Sequence, residues 1–174
     1  MNANDRTQRT PPVRESAYSV ILRNDFTEIL MVLNEHGMFT KHGVQGFDGI
    51  AVKRRGWGCP GGGAEKGENS RGAAIRETRQ EASIDVVIDE SNVWVSTLVR
   101  DYHRKTYFLV ESFEGTPRLN PEFKKEIIQV EWVPAELFLY RDDKDDVFFQ
   151  GQPIYRGHAR MLRELLKHAG IIKA

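Results

Sequence analysis

The sequence predicts an α/β or α+β fold, a mixed sheet between helices, and three observations carry that prediction. Short apolar runs of strand length recur between turn residues along most of the chain. Two stretches, 70–83 and 157–168, instead repeat their apolar residues at helical spacing. The chain has 174 residues, 40% hydrophobic and 29% charged, which suits one domain with a sizeable core.

Residues 1–15 are polar and contain Pro11 and Pro12, so they are expected to form a flexible arm, with 16–174 as a single domain. Residues 18–23 (YSVILR) and 28–33 (EILMVL) form a strand pair around the turn residues Asn24 and Asp25. Glycines at 37, 43, 46 and 49 interrupt the next stretch, where Phe39, Lys41, His42 and Phe47 lie in a loop and 50–52 is a short strand. Lys53, Arg54 and Arg55 make a basic run, either a solvated face or a phosphate contact. Gly58, Pro60, Gly61, Gly62, Gly63 and Gly67 then give a tight turn-forming loop whose backbone another group can approach closely.

The 70–83 helix turns Ala74, Ile75, Thr78 and Ala82 toward a core. Glu77 and Glu81, four apart, stack beside that face, and Gln80 lies on the same polar arc. Two carboxylates so placed repel slightly, unless a hard cation such as magnesium takes them as oxygen ligands. The plain alternative is a solvated helix face. Strands follow at 85–88, 93–99 and 105–113, with 100–104 joining the last two as a hairpin. After a charged loop at 118–126 comes a strand at 127–133 and one helical turn at 135–139. Asp142, Asp143, Asp145 and Asp146 form an acidic loop. The 157–168 helix turns Leu162, Leu165 and Leu166 inward and ends before Gly170.

Lys plus Arg and Asp plus Glu each number 25, so no global basic field exists to hold nucleic acid, and no DNA-binding signature is present. The single Cys59 makes no intrachain disulfide and no zinc motif, and the five histidines show no metal spacing. No signal peptide or membrane span is visible, which points by elimination to the cytoplasm.

The stretch from Gly62 to Ile84 resembles the signature of the Nudix hydrolases, a glycine, five residues, a glutamate, seven residues, then R-E-apolar-x-E-E-x-G-apolar. Gly62, Glu68, Arg76, Glu77, Glu81 and Ile84 match it, with Thr78 in the often-apolar place. Gln80 stands where the family has the first glutamate of its pair, and Ser83 where it has glycine. Ser is a poorer left-handed helix cap than Gly. The resemblance implies the Nudix α/β/α sandwich and magnesium, or manganese, held by Glu77 and Glu81, with the Gly61 carbonyl as a further ligand. Gln80 would offer a neutral oxygen in place of a carboxylate. Glu68 would pair with Arg76 and clamp loop to helix. Some members carry a late glutamate six residues before a tryptophan, which helps bind metal or orient water. Glu126 stands so before Trp132, with Glu122 and Glu131 as spare candidates.

The implied reaction is metal-dependent hydrolysis of a pyrophosphate bond in a nucleoside diphosphate-linked substrate. WGCPGG resembles the nucleoside triphosphate pyrophosphohydrolases, which ranks mononucleotides first. The GGG opening with HRKTYFLV, and Tyr102 eighteen residues past Ile84, resemble the dinucleoside polyphosphate and diphosphoinositol polyphosphate hydrolases. ADP-ribose and capped RNA rank lower. Trp57, Phe39, Phe47 and Tyr102 are base-stacking candidates, each with core or rim packing as its alternative. A catalytically weak nucleotide-binding regulatory domain is the reading of another class, supported by Gln80. The expected partner is a nucleotide or related polyphosphate, with a homodimer left open and no membrane.

Overall fold

The computed structural model describes residues 13–38, 52–99, 102–123, 126–138 and 146–170. β1 (Arg14–Val20) lies inside the first sheet, with β5 (Gly61–Gly63) antiparallel on one side and β8 (His103–Leu109) parallel on the other. β7 (Val93–Val99) adds antiparallel to β8 and leaves the order β5-β1-β8-β7. The second sheet is antiparallel and built on β3 (Glu28–Met38). β10 (Ile127–Pro134) and β2 (Leu22–Arg23) pair with its first half, and β4 (Val52–Gly58) with its second. Two small ladders, β6 (Asp85–Val87) with β9 (Ser112–Glu114) and β11 (Phe148–Phe149) with β12 (Gln152–Pro153), complete the strands.

α1 (Ser70–Ala82) and α2 (Arg156–His168) cover opposite faces, and the period-two alternation of the strands explains how. Ala17, Leu30 and Phe108 pack with Ala73, Ala74 and Ala82 of α1. Their strand neighbours Val20, Met31 and Tyr107 pack with Ala159, Leu162 and Leu166 of α2. Burying a leucine such as Leu162 contributes about 2 kcal/mol. The result is the expected α/β/α sandwich, with strands buried on both faces.

Several expected elements take a different form. Arg14 and Glu15, assigned to the arm, already belong to β1. Residues 18–23 are not one strand, because the chain changes sheets at Ile21. The Val20 carbonyl accepts from Val110 N, and the Ile21 carbonyl from Leu30 N. Only β2 therefore makes the expected pair with β3. The 105–113 run breaks for a similar reason, since Glu111 N turns to Val87 O and delivers β9 to β6. His103 and Arg104 belong to β8 rather than to the connection before it. A 3-10 turn, Pro121–Phe123, stands inside the charged loop. The expected turn at 135–139 is the 3-10 turn Ala135–Phe138.

The largest departure is the glycine run. Gly61–Gly63 is a strand, in register with Tyr18, Ala17 and Ser16. Gly61 has φ +148°, and a Cβ there would lie 2.6 Å from Tyr18 Cα; one on Gly62 would lie 2.7 Å from Glu77 Oε1. Glycine at both positions lets a strand fit between β1 and the α1 carboxylates. Phe39, Lys41, His42, Phe47, the first two residues of the 50–52 strand and most of the acidic loop lie outside the described residues, as does 1–12 of the arm. Asp146, the described member of the acidic loop, pairs with Arg156 at 2.7 Å.

Candidate active site

The α1 helix is fixed before its carboxylates are considered. Asn69 caps it by accepting from Gly72 N at 2.7 Å. Ser83 closes it in the left-handed conformation, φ 56°, with its N–H on Arg79 O. Thr78, in the often-apolar place, is fully buried, and its hydroxyl lies 2.7 Å from both Ser19 Oγ and Ala74 O. A hydroxyl is tolerated there because β1 supplies the partner.

Arg76 ties α1 to the strand in front of it. Its Nε and Nη2 donate to the two oxygens of Glu68, each at 3.0 Å, and Nη2 also donates to Gly63 O at 3.0 Å. This two-pronged pair is the clamp expected from the sequence. The pairing holds the Glu68 carboxyl below its usual range. Nη1 donates to Glu77 Oε1 at 2.9 Å and to Gln80 Oε1 at 3.1 Å. Gln80 thus serves the guanidinium with its carbonyl oxygen.

Glu77, Glu81 and Glu126 line one cavity of about 540 Å³ together with Gly61 to Gly63. Glu81 is partly exposed as a residue, but its carboxyl group is deeply buried. Burial pushes that carboxyl up to about 8, the Gly61 N–H at 2.8 Å pulls it down, and Glu77 and Glu126 push it up again. Burial likewise raises Glu77, against the pull of Arg76. Exposed Glu126 stands just before β10, its carbonyl accepting from Glu35 N at 2.7 Å. A smaller cleft of about 340 Å³ joins Gln80 and Glu122 to the same three acids. Glu131 lines neither and accepts from Gln129.

Among the described residues no three His, Cys, Asp or Glu side chains are arranged to hold a metal ion by themselves. The carboxylates are turned to other partners, Glu81 to Gly61 and Glu77 to Arg76. Their chemistry still suits a hard divalent cation, because three mutually repelling carboxylates around one cavity are oxygen donors whose charge such an ion neutralises.

The far wall of the cavity holds groups the sequence reading did not single out. His158 is buried, and its Nδ1 accepts from Cys59 N at 3.2 Å, which leaves Nε2 as the N–H of the neutral ring. Burial, with Lys105 nearby, pushes this histidine down to about 3. The Tyr18 ring stacks on Tyr107 at 4.9 Å and meets His158 edge-on at 4.7 Å. Lys105 Nζ lies 5.9 Å from the Tyr18 ring centre, and burial lowers its pKa. A signal was present for both Lys105 and His158. Lys105 is two residues before Tyr107, on the same strand face, and His158 shares the apolar face of α2 with Leu162 and Leu165.

The stacking candidates fare differently. Trp57 is fully buried, packs on Phe149 at 5.3 Å and donates its Nε1–H to Phe149 O, so it is a core residue. Tyr102 is exposed and lines none of these cavities. Of the basic run, Arg55 of β4 pairs with Glu35 of β3 at 2.8 Å and is absent from the cavity lining.

The NUDIX domain family model matches residues 13–153. No curated protein matches the chain by sequence. Similar solved structures include a MutT NUDIX hydrolase from Burkholderia pseudomallei, 16% identical, covering 87% of this chain and 97% of that one, with TM-score 0.59. The E. coli ORF135 protein is 19% identical over 91% and 93% of the two chains, with TM-score 0.57. A NUDIX hydrolase from Nitrosomonas europaea is 16% identical over 91% and 73%, with TM-score 0.60. At these identities the structures speak for the fold, and the match over most of the chain speaks for the family. The cluster of Glu68, Arg76, Glu77 and Glu81 is therefore seated in the fold its resemblance to the signature implied, and the chain belongs to the Nudix hydrolase family, a family of pyrophosphohydrolases.

Proposed function

We propose that the protein hydrolyses a pyrophosphate bond in a nucleoside diphosphate-linked substrate with magnesium, or manganese, as cofactor, and that a nucleoside triphosphate is its simplest substrate. The observation that supports this reading is the convergence of Glu77, Glu81 and Glu126 on one cavity. These three acids would hold the ion, with Gly61 and Gln80 as neutral oxygen donors beside them. The bound ion supplies neutralisation of the phosphate oxygens and a more acidic water. Arg76 and Glu68 keep the α1 carboxylates in place against the glycine strand. Glu126, exposed at the cavity, orients the attacking water and takes its proton. A new phosphorus–oxygen bond forms, the bridging one breaks, and the leaving phosphate departs with the bridging oxygen.

A regulatory domain without turnover draws less support, because Gln80 has a place of its own as an acceptor from Arg76. Turnover of nucleoside triphosphates, dinucleoside polyphosphates, ADP-ribose and inositol pyrophosphates across a magnesium series tests the proposal. Activity should vanish with EDTA and fall at least 100-fold in E77Q. E126Q should lose turnover with its melting temperature within about two degrees of the parent. Absence of hydrolysis on every substrate, or full activity in E77Q, rejects the reading.

A further inference from the structure

Lys105 and Gly157 line the acid-lined cavity and also a second chamber of about 600 Å³. Strand register builds the floor of this chamber. Val95 stands across from Tyr107 and Thr97 across from Lys105, so these four share one face of β7 and β8. Val99, two residues beyond Thr97, extends the same face. The roof is α2, where Gly157, Arg160, Met161 and Glu164 recur at helical spacing. Trp94 adds an aromatic wall, its ring tilted against His168 at 5.2 Å.

Three charged residues line the chamber, and they are placed unevenly. Arg160 and Glu164 are exposed on α2, four residues apart and opposite in sign, and Glu164 also accepts from Lys167 Nζ at 3.4 Å. Their charges offset one another at the rim. Lys105 is half-buried on the inner wall, and burial alone lowers its pKa. No carboxylate, Glu164 included, pulls that pKa back up, and among the described residues none pairs with it. The interior therefore holds one uncompensated positive charge among mainly apolar walls. A neutral apolar guest would strip water from the ammonium and return nothing. A multiply charged guest would bring charge into those walls that one lysine does not balance. A ligand with one negative charge and an apolar body meets both demands, and a carboxylate carries a single charge at neutral pH.

We propose that the chamber between β7, β8 and α2 is a regulatory site for an amphipathic monocarboxylate, whose head pairs with Lys105 and whose body lies among Trp94, Val99 and Met161. The chamber falls in the range of about 300–1,000 Å³ usual for small-molecule sites. Burial of the apolar body supplies most of the affinity, and the ion pair fixes its orientation. Occupancy neutralises the cation that the chamber shares with the acid-lined cavity, so the ligand weakens the binding of a phosphate-bearing substrate there. The binding site stands on the chamber alone, whereas its effect on substrate rests on the proposed pyrophosphohydrolase reading.

Calorimetric titration of the full chain in EDTA at neutral pH reads the chamber without requiring turnover. Octanoate has the head and the body, octanamide the body without the charge, and acetate the head without the body. Octanoate should bind at least tenfold more tightly than octanamide, and acetate should give no measurable heat of binding. K105M should bring octanoate to the affinity of octanamide. Val99→Trp, which fills the chamber away from Lys105, should weaken octanoate at least tenfold. Equal affinity for octanoate and octanamide in the parent, or octanoate affinity unchanged in K105M or V99W, overturns the site. If V99W fails to fold, the ligand series and K105M decide alone. In magnesium, saturating octanoate should raise KM for the hydrolysed nucleotide at least threefold with kcat unchanged, and V99W should abolish that rise. An unchanged KM in the parent overturns the regulatory role of the site. Octanoate binding as expected, with no nucleotide hydrolysed, rejects the enzymatic reading but keeps the site, so the two failures are distinguishable.

Discussion

Glu81 carries the conflict on which the site is built. Its carboxyl is buried, faces two other acids and keeps a single backbone donor, Gly61 N–H. Its pKa in the folded chain, about 8, stands above the ordinary 4.5. Between these values the folded chain binds the proton and the unfolded chain does not. Stability from this group is therefore fully present below about pH 4.5 and is lost as pH rises toward 8. Each pKa unit corresponds to about 1.4 kcal/mol, so the loss amounts to roughly a few kcal/mol. In EDTA, the melting temperature of E81Q should rise relative to the parent as pH goes from 5 to 8, and saturating magnesium in the parent should close the gap at pH 8. A difference between the two proteins that does not change with pH contradicts this account. Gln80, four residues after Arg76 on α1, avoids adding a further charge to the cluster and satisfies the guanidinium with a neutral oxygen.

At the scale of elements, α1 is held to β1 by a buried polar contact as well as by packing. Ser19 and Thr78, both 0% exposed, share a short hydroxyl network with Ala74 O. Removing one member takes away the other's hydroxyl partner but leaves it the Ala74 carbonyl, a cost of about 1 kcal/mol, whereas removing both is nearly neutral. T78V and S19A should each destabilise by that amount in urea unfolding, and the double variant should recover most of the loss. Additive losses show that the two hydroxyls act independently. The same contact explains how Thr stands in a place usually apolar, and how α1 presents Glu77 and Glu81 at a fixed height above β5.

For the whole molecule, the site exists because both layers meet at one end of the sheet. α1 brings the acids from one face, and α2 brings His158 from the other, anchored through Nδ1 to Cys59 N. Burial holds His158 at about 3 against an ordinary 6.5. Below pH 6.5 the unfolded chain takes up a proton that the folded chain refuses, so this stability is lost as pH falls toward 3. H158N, whose side-chain oxygen can accept in place of Nδ1, should be less stable than the parent at pH 7 yet lose less stability between pH 6.5 and 4 in urea titrations. A parallel loss in both proteins excludes His158 as the acid-sensitive anchor.

The sequence by itself determined what depends on neighbours along the chain. Spacing within α1 placed Glu77, Gln80 and Glu81 on one polar arc, and the resemblance of Glu68 and Arg76 to the Nudix signature implied the pairing found at 3.0 Å. Short apolar strand runs and two stretches of helical spacing foretold a mixed sheet between helices. Tertiary structure decided whatever depends on which strands lie side by side. The glycine run is a turn in isolation and becomes β5 because β1 offers an open edge beside α1. Residues 18–23 look continuous, yet the backbone hydrogen bonds of Val20 and Ile21 go to different sheets. Lys105 and His158 are ordinary strand and helix residues until the β1–β8 parallel pair and the packing of α2 bring them to the wall opposite the acids. Local order follows from residues a few positions apart, whereas the far wall joins residues separated by half the chain, whose apposition is set by sheet order and core packing.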